Sequence, residues 1–313
     1  MLPRPDAGVA LLDGEVVLSD DADPGADPTL PLRVALVAAD RHLPVAAVTR
    51  VSLARCPAPQ GPWSAVPSRL ARAPGRAGPD AGAADRASAL DLLVELLGTG
   101  EELVRLWEDL DLAGLPERWW PGWREVRNRP QHNPLHTYTV DRHMVRTAAL
   151  AAELLGSQEA AAGLGSLGLP VPGPPERRAL LLAALVHDLG KVPGVMGEDH
   201  ARVGAQRARE VLAVLGPAPA EAEEVELLVR HHLLLPELAG HRPGAPEALA
   251  AATQALGAGE PARRRLAALW LLTQADARAA GPRAWTGVRA EVLARATAGL
   301  AHGLVLGTPN VRQ

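Results

Sequence analysis

The chain has 313 residues, 47% hydrophobic and 22% charged, with a formal net charge of −4. These proportions are typical of a globular protein with a buried core and exclude a largely disordered chain. The slightly negative charge gives no general attraction to nucleic acid or to an anionic membrane. A single cysteine, Cys56, excludes an internal disulfide framework and a zinc ribbon, so we expect a reducing, cytoplasmic location.

Neither a membrane span nor a signal peptide is expected. No apolar run approaches the roughly 20 residues that cross a bilayer. The first residues also lack the basic segment followed by an apolar one that marks a signal peptide.

Residues 1–128 are predicted to form a small, mostly helical N-terminal region with one hairpin. Residues 8–19 contain the pair Asp13-Gly14, which is typical of a tight hairpin turn. Helical periodicity begins near Leu30, and a stretch rich in Pro, Gly and Ala over residues 57–86 is typical of a linker.

From residue 87 onward helical patterns dominate, which predicts an all-α fold. Gly190 and Gly216 are expected to cap helix C-termini, and Pro236 to end the helix before it. The predicted helices cover residues 87–98, 99–112, 138–155, 176–189, 199–215, 219–235, 246–256, 261–280 and 283–301.

The segment GLGSLG at 163–168 has the spacing of a dinucleotide-binding loop. That motif requires a strand before it and a helix directly after it. Here a predicted helix precedes the segment and four prolines follow, so we interpret it as a flexible loop without a cofactor.

Two predicted helices bring polar residues into the interior. His143 lies on the apolar face of helix 138–155, where a hydrogen-bonded core histidine is the usual explanation. Residues 179–186, ALLLAALV, are apolar on every side, so this helix delivers His187 and Asp188 into the core. A buried carboxylate must be paired, hydrogen-bonded or bound to metal, and the adjoining sequence offers only Lys191.

Other His and Asp residues extend this pattern. His200 lies at a helix start, at least one of His231 and His232 faces inward, and Asp276 lies on the apolar face of helix 261–280. Ligands of this kind without thiolates favour Mn, Fe, Mg or Zn. The alternative is a set of unrelated polar core residues.

The order H…HD…H…HH…D, carried on helices, resembles the HD-domain metal-dependent phosphohydrolases. The likeness narrows to the bifunctional PII uridylyltransferase/uridylyl-removing enzymes, in an actinobacterial form, over nearly the whole chain. It is carried by the segments NRPQHNPLHTYTVDRH (128–143), HDLGK (187–191), EDHARVGA (198–205), VRHHLLLPELA (229–239) and LTQADARAAGPRAW (272–285). The sequence shows no transferase signature and few residues after the last predicted helix, so we expect the resemblance to be to the central HD region alone.

The resemblance implies an HD helical bundle over residues 129–302, with a tail at 303–313. It also implies two divalent ions, Mn, Mg or Fe with Zn as an alternative. The primary site would be formed by His143, His187, Asp188 and Asp276. Asp188 would bridge to a second ion held by His200 with His231 or His232.

The same resemblance implies a metal-dependent phosphodiester hydrolase that removes UMP or AMP from the nitrogen-regulatory PII protein. Lys191, the only lysine of the chain, would stabilise charge on the phosphoryl group; its alternative is a capping surface cation. His136 would orient the substrate or protonate the leaving tyrosine; its alternative is a loop histidine without a role. Two other functions stay open: hydrolysis of free nucleotides, or a non-catalytic regulatory remnant. The oligomeric state is not predicted.

Overall fold

The computed structural model describes residues 6–71, 86–131, 133–195, 197, 199–241 and 245–306. Helices dominate these ranges, and their strands form two small two-stranded sheets, so the predicted all-α class with a short hairpin is confirmed. No described helix is both long and apolar enough to cross a membrane. The chain divides into two compact units. They are Met1–Arg124 with Glu210–Ala218, and Glu125–Arg209 with Pro219–Gln313.

The predicted hairpin is present at the start of the first unit. Strand β1 (Val9–Leu12) pairs antiparallel with β2 (Glu15–Leu18). Asp13 and Gly14 connect them with φ values of 50° and 80°. Positive φ at both central residues is what a two-residue hairpin turn of matching twist requires.

A second hairpin lies in the segment that composition predicted to be a linker. Strands β3 (Pro67–Ala71) and β4 (Arg86–Ser88) pair antiparallel. The residues between them, 72–85, lie outside the described part of the chain. Within the stretch predicted to be a linker, residues 67–71 are therefore ordered by backbone pairing with β4.

The first helices of the chain are α1 (Leu30–Arg41), α2 (Ala47–Leu53), α3 (Ala89–Leu97), α4 (Glu102–Leu112), α5 (Leu115–Trp119) and α6 (Trp123–Val126). Ser88 and Asp91 form a capping box at the start of α3. Five buried tryptophans pack together in this unit, with centroids of contacting rings 5.2 to 6.0 Å apart. They are Trp63, Trp107, Trp119, Trp120 and Trp123.

The remaining helices are α7 (Val140–Gly156), α8 (Gln158–Ser166), α9 (Pro174–Val186), α10 (Asp199–Leu215), α11 (Pro219–Arg230), α12 (Leu234–Gly240), α13 (Pro246–Leu256), α14 (Gly259–Ala280) and α15 (Gly287–Leu306). Helix α9 lies at the centre of the second unit, packed against α7, α11 and α14. Residues 179–186 of α9 are all buried, as expected for a helix that is apolar on every side. The C-terminal end of α9 therefore lies in the interior of the unit, and the residues that follow it, His187 and Asp188, are buried there.

Several predicted boundaries in the second unit were wrong. Helix α11 ends at Arg230 rather than at 235. Pro236 lies in the first turn of α12, where a backbone N–H would have no intrahelical acceptor, so proline is tolerated there. Helix α8 continues through Ser166, so four of the six residues of GLGSLG are helical rather than in a loop. Gly216 follows α10 with a φ of 62°, as expected of a cap. Gly190 is not a cap, because α9 ends at Val186 and His187 caps it. The end of the predicted tail, 307–313, lies outside the described residues.

Candidate metal centre

Four side chains from three helices meet beside the end of α9. His143 comes from α7, His187 and Asp188 follow α9, and Asp276 comes from α14. His143 Nε2 lies 2.8 Å from Asp276 Oδ1 and 3.6 Å from Asp188 Oδ2. His187 Nε2 lies 3.4 Å from Asp188 Oδ2 and 3.7 Å from Asp276 Oδ1. His143, His187 and Asp188 each offer a ligand atom within 4.8 Å of the others. We call these three, with Asp276 beside them, the first group.

A second group shares Asp188 and uses its other carboxylate oxygen. His200 Nε2, from the first turn of α10, lies 3.5 Å from Asp188 Oδ1. His232 Nε2, just after α11, lies 3.8 Å from the same oxygen and 3.3 Å from His200 Nε2. These three residues form a second set of ligand atoms within 4.8 Å of one another. Asp188 therefore faces both groups, one with each oxygen.

Backbone carbonyls fix the orientation of three of the imidazole rings. The Nδ1 atoms of His187, His200 and His232 lie 2.9, 2.5 and 2.7 Å from the carbonyl oxygens of Ala184, Gly197 and Val229. With Nδ1 bonded to a backbone carbonyl, the Nε2 atom of each ring faces Asp188 and is the nitrogen available to an ion. Metal-binding histidines are commonly oriented in this way, with one nitrogen bonded to the protein and the other to the ion.

Three buried polar atoms at the centre have no well-formed hydrogen bond to the described residues, although the Lys191 ammonium forms an ion pair with one of them, Asp188 Oδ2. Both oxygens of Asp188 and the Nε2 atom of His187 are buried and have no hydrogen bond of good geometry among the described residues. Buried carboxylates are normally paired or bound to metal. Imidazole nitrogens and carboxylate oxygens together suit divalent ions such as Mn²⁺ and Fe²⁺. The residues present thus fit a divalent metal ion in each group.

Charge interactions within the first group are strong. Burial opposes the charged form of Asp188, but Lys191 and His187 outweigh it, so the pKa of Asp188 lies well below its usual value. The pKa of Asp276 is lowered against burial by the hydrogen bond with His143 and by the nearby His187. Burial also opposes protonation of His187, but Asp188 and Asp276 raise its pKa. Both carboxylates are therefore ionised and attract a cation.

Two histidines beside these carboxylates, His232 and His136, are held neutral. Burial lowers the pKa of His232 to about 4, with help from the positive charge at His187. Burial, followed by Lys191 and His143, lowers the pKa of His136 to about 4. A neutral imidazole is the form that binds metal, and it can donate one hydrogen bond and accept another.

Sequence reasoning could not decide between the paired histidines, and the structure separates them. His232 is 2% exposed and belongs to the second group. His231 is in neither group; its backbone N–H donates to the carbonyl of Leu227, and burial and the adjacent Arg230 lower its pKa. Adjacent residues of a helical turn point about 100° apart, so only one of the pair faces Asp188.

Lys191 and His136 both lie at the edge of the first group. The ammonium of Lys191 is 2.7 Å from Asp188 Oδ2 and donates to Gln131 Oε1 at 2.8 Å. The ring of His136 packs edge-on against His143, with centroids 4.8 Å apart. Its loop is anchored to the end of α14 by the bond from Thr137 N–H to the carbonyl of Ala280. Sequence reasoning missed Gln131, whose only clue was its place in the NRPQHNP segment before His136.

Comparison with known protein families agrees with this geometry. The family model described as the HD domain matches residues 140–281, a range that begins with α7 and ends just after α14 and contains every residue of both groups. This region is an HD domain. The chain therefore contains the HD domain that its motifs predicted.

Several relatives carry a more specific name. The bifunctional uridylyltransferase/uridylyl-removing enzyme of Streptomyces coelicolor is 38% identical over 92% of the chain. The enzyme of the same name from Mycobacterium tuberculosis is 36% identical over 92% of the chain. The matched region spans only 29% and 30% of the length of these two relatives. The predicted resemblance to the HD region of these larger enzymes is confirmed.

Proposed function

We propose that the chain hydrolyses the phosphodiester that joins UMP or AMP to a tyrosine of a PII signal protein. The observation that carries this proposal is the position of Asp188, whose two oxygens face two separate sets of metal ligands in an HD domain. The names of the relatives include a uridylyl-removing activity, and the resemblance of the motifs to the PII-modifying enzymes suggests PII as the carrier of the nucleotide. The one cysteine suits the reducing cytoplasm, where we place the reaction.

The ligand set divides between two ions. His143, His187, Asp188 and Asp276 would hold one ion, and Asp188 with His200 and His232 would hold the other. Divalent ions in such sites polarise phosphoryl oxygens and lower the pKa of water toward neutrality. We propose that the ions are Mn, Mg or Fe, with Zn as an alternative.

The reaction balances as a simple hydrolysis. The oxygen of a water molecule attacks phosphorus, and the bond between phosphorus and the tyrosine oxygen breaks. The tyrosine oxygen takes up a proton, and the nucleotide leaves as a 5′-monophosphate.

Two residues of the chain contribute beyond metal binding. Lys191, 24% exposed and held at the edge of the first group, stabilises the negative charge that grows on the phosphoryl oxygens. His136 borders the same group, and its Nδ1 has no hydrogen-bond partner among the described residues. We assign it to orienting the phosphodiester.

The test is direct hydrolysis of modified PII. Uridylylated and adenylylated PII are each incubated with the protein and Mn²⁺, and intact mass spectrometry follows the loss of one nucleotidyl group. We expect turnover with at least one of them. Asp188→Asn should abolish it, whereas Asp40→Asn, at an exposed position of α1, should leave it unchanged.

Two outcomes would contradict the proposal in different ways. Turnover of free nucleotides from a panel, without turnover of modified PII, would make the chain a nucleotide phosphohydrolase. No turnover of any of these, with metal bound, would make it a non-catalytic regulatory protein.

A further inference from the structure

The turn that carries Asp188 touches the first turn of α10 through a glycine. A Cβ atom placed on Gly190 would lie 2.0 Å from the carbonyl oxygen of His200 and 2.5 Å from the amide nitrogen of Gly204. Cβ atoms essentially never come within 3.0 Å of backbone atoms. Only glycine at 190 therefore allows this approach, which explains its place in the motif better than the predicted helix cap.

A second glycine forms the other side of the contact. A Cβ on Gly204 would lie 3.1 Å from the carbonyl oxygen of His187 and 3.4 Å from the amide nitrogen of Gly190. Such distances require a neighbour to move by a few tenths of an ångström. The two glycines thus face each other, and a side chain on either one separates α10 from the turn, by different amounts.

His200 is the residue that such a separation would displace most. Its carbonyl oxygen is the atom nearest to Gly190, and its imidazole lies 3.5 Å from Asp188 Oδ1. The first turn of α10 is also the less tightly packed of the two segments, since the side chains of Asp199 and Arg202 in this turn are exposed. His187 follows a helix packed on three sides. A forced separation therefore moves His200 rather than His187.

We propose that Gly190 and Gly204 are positioning residues for the second metal ion. By letting α10 approach the turn, they bring His200 to the free oxygen of Asp188 and complete the second group. The first group depends on α7, α9 and α14 instead. Replacing either glycine should weaken the second ion selectively. This inference rests on the metal-dependent function proposed above and is independent of the substrate.

The experiment is a Mn²⁺ titration of chelator-treated protein, followed by calorimetry and by electron paramagnetic resonance. Wild type is compared with Gly204→Ala, Gly190→Ala and the control Gly165→Ala. A Cβ on Gly165 meets no atom within 4 Å. His200→Ala serves as the reference for loss of the second ion. Two Mn²⁺ ions bridged by one carboxylate give a spin-coupled spectrum, whereas a single ion gives an isolated one.

We expect two ions and a coupled spectrum in wild type and in Gly165→Ala. The second-ion Kd should rise about tenfold in Gly204→Ala and about 100-fold in Gly190→Ala, the range seen when residues supporting a ligand are lost. The first-ion Kd should be unchanged. If Gly190→Ala does not fold, as judged by circular dichroism, Gly204→Ala decides the question.

Three results would overturn the inference: equal second-ion affinity in the glycine variants, parallel loss of both ions, or a wild type that binds only one. Failure of the proposed function looks different. In that case the glycine series behaves as expected, but neither modified PII nor free nucleotide is hydrolysed.

Discussion

The ammonium of Lys191 lies 2.7 Å from Oδ2 of Asp188, the carboxylate oxygen that also faces His143 and His187. An ion held by the first group would share this oxygen with the Lys191 ammonium. Lys191 is also the only lysine among 32 lysine and arginine residues. A compact ammonium on a flexible stem can share a small site with a metal ion, whereas a planar guanidinium is larger and has fixed donor directions.

Lys191→Arg should therefore retain fold and metal content but lower kcat by about 100-fold, the scale of losing one preorganised charge-stabilising donor. KM should change less, because the interaction strengthens mainly in the transition state. Steady-state kinetics on the active phosphodiester, with metal analysis of the same samples, measure both. Unchanged kcat would reduce Lys191 to a surface cation.

Gln131 holds the same ammonium from the other side through its side-chain oxygen. Gln131→Met keeps the length of the side chain but removes this acceptor, so we expect kcat to fall by about tenfold, the value of roughly one hydrogen bond. A double-mutant cycle with Lys191→Arg measures the coupling. Because both changes act through the ammonium, their effects on kcat should be less than additive. Strictly additive effects would show that Gln131 and Lys191 act independently.

Asp188→Ala should bind neither metal ion, since this carboxylate belongs to both groups. Metal that binds only the folded state raises its stability. Added Mn²⁺ should therefore raise the Tm of wild type but not of Asp188→Ala. His302→Ala, which changes an exposed histidine of α15, should respond as wild type does. Stoichiometric metal in Asp188→Ala would contradict the proposed ligands.

A buried ion pair should dominate the stability of the N-terminal unit. The side chain of Arg33 is 1% exposed and pairs with Asp6 and Asp27. Arg33→Ala leaves these carboxylates without it and should cost about 3–5 kcal/mol of unfolding free energy. Arg41→Ala, at a position 54% exposed, should cost less than about 1 kcal/mol. Urea unfolding followed by circular dichroism compares the two; similar costs would refute the assignment.

Cys56 should be unreactive in the folded protein. Burial, followed by the nearby Asp27, raises its pKa to about 12, and only the thiolate reacts with thiol reagents. At pH 8 about one thiol in 10⁴ is ionised at such a pKa, and raising the pH toward 12 increases that fraction. We expect negligible labelling by a disulfide reagent at pH 8 until denaturant is added. Rapid labelling of the native protein at pH 8 would show that the thiol is accessible.

Local sequence patterns predicted the local features of this fold. Asp13-Gly14 gave the hairpin, and the all-round apolar segment 179–186 gave the buried helix that delivers His187 and Asp188. Backbone conformation at a turn and burial of a helix depend on neighbouring residues, so they can be inferred from a short window.

Features that depend on distant contacts were not predictable from spacing. His143 and Asp276 meet across 133 positions, and only the family resemblance placed them together. Neither Gln131 nor the close approach at Gly190 leaves a periodic trace in the sequence, because each depends on an element far along the chain. The choice between His231 and His232 depended on where α11 ends, and helix boundaries follow from tertiary packing.

The seven tryptophans fall into two clusters, one in each unit of the chain. Five of the seven form the cluster of the first unit, and the other two, Trp270 and Trp285, lie 6.2 Å apart in the second unit. With no phenylalanine and one tyrosine, ultraviolet emission comes almost entirely from these two sets. Replacing Trp270 and Trp285 with leucine would leave an emission signal confined to the first unit. The protein thus contains two separable intrinsic fluorophores, which can report whether its halves melt together or in succession.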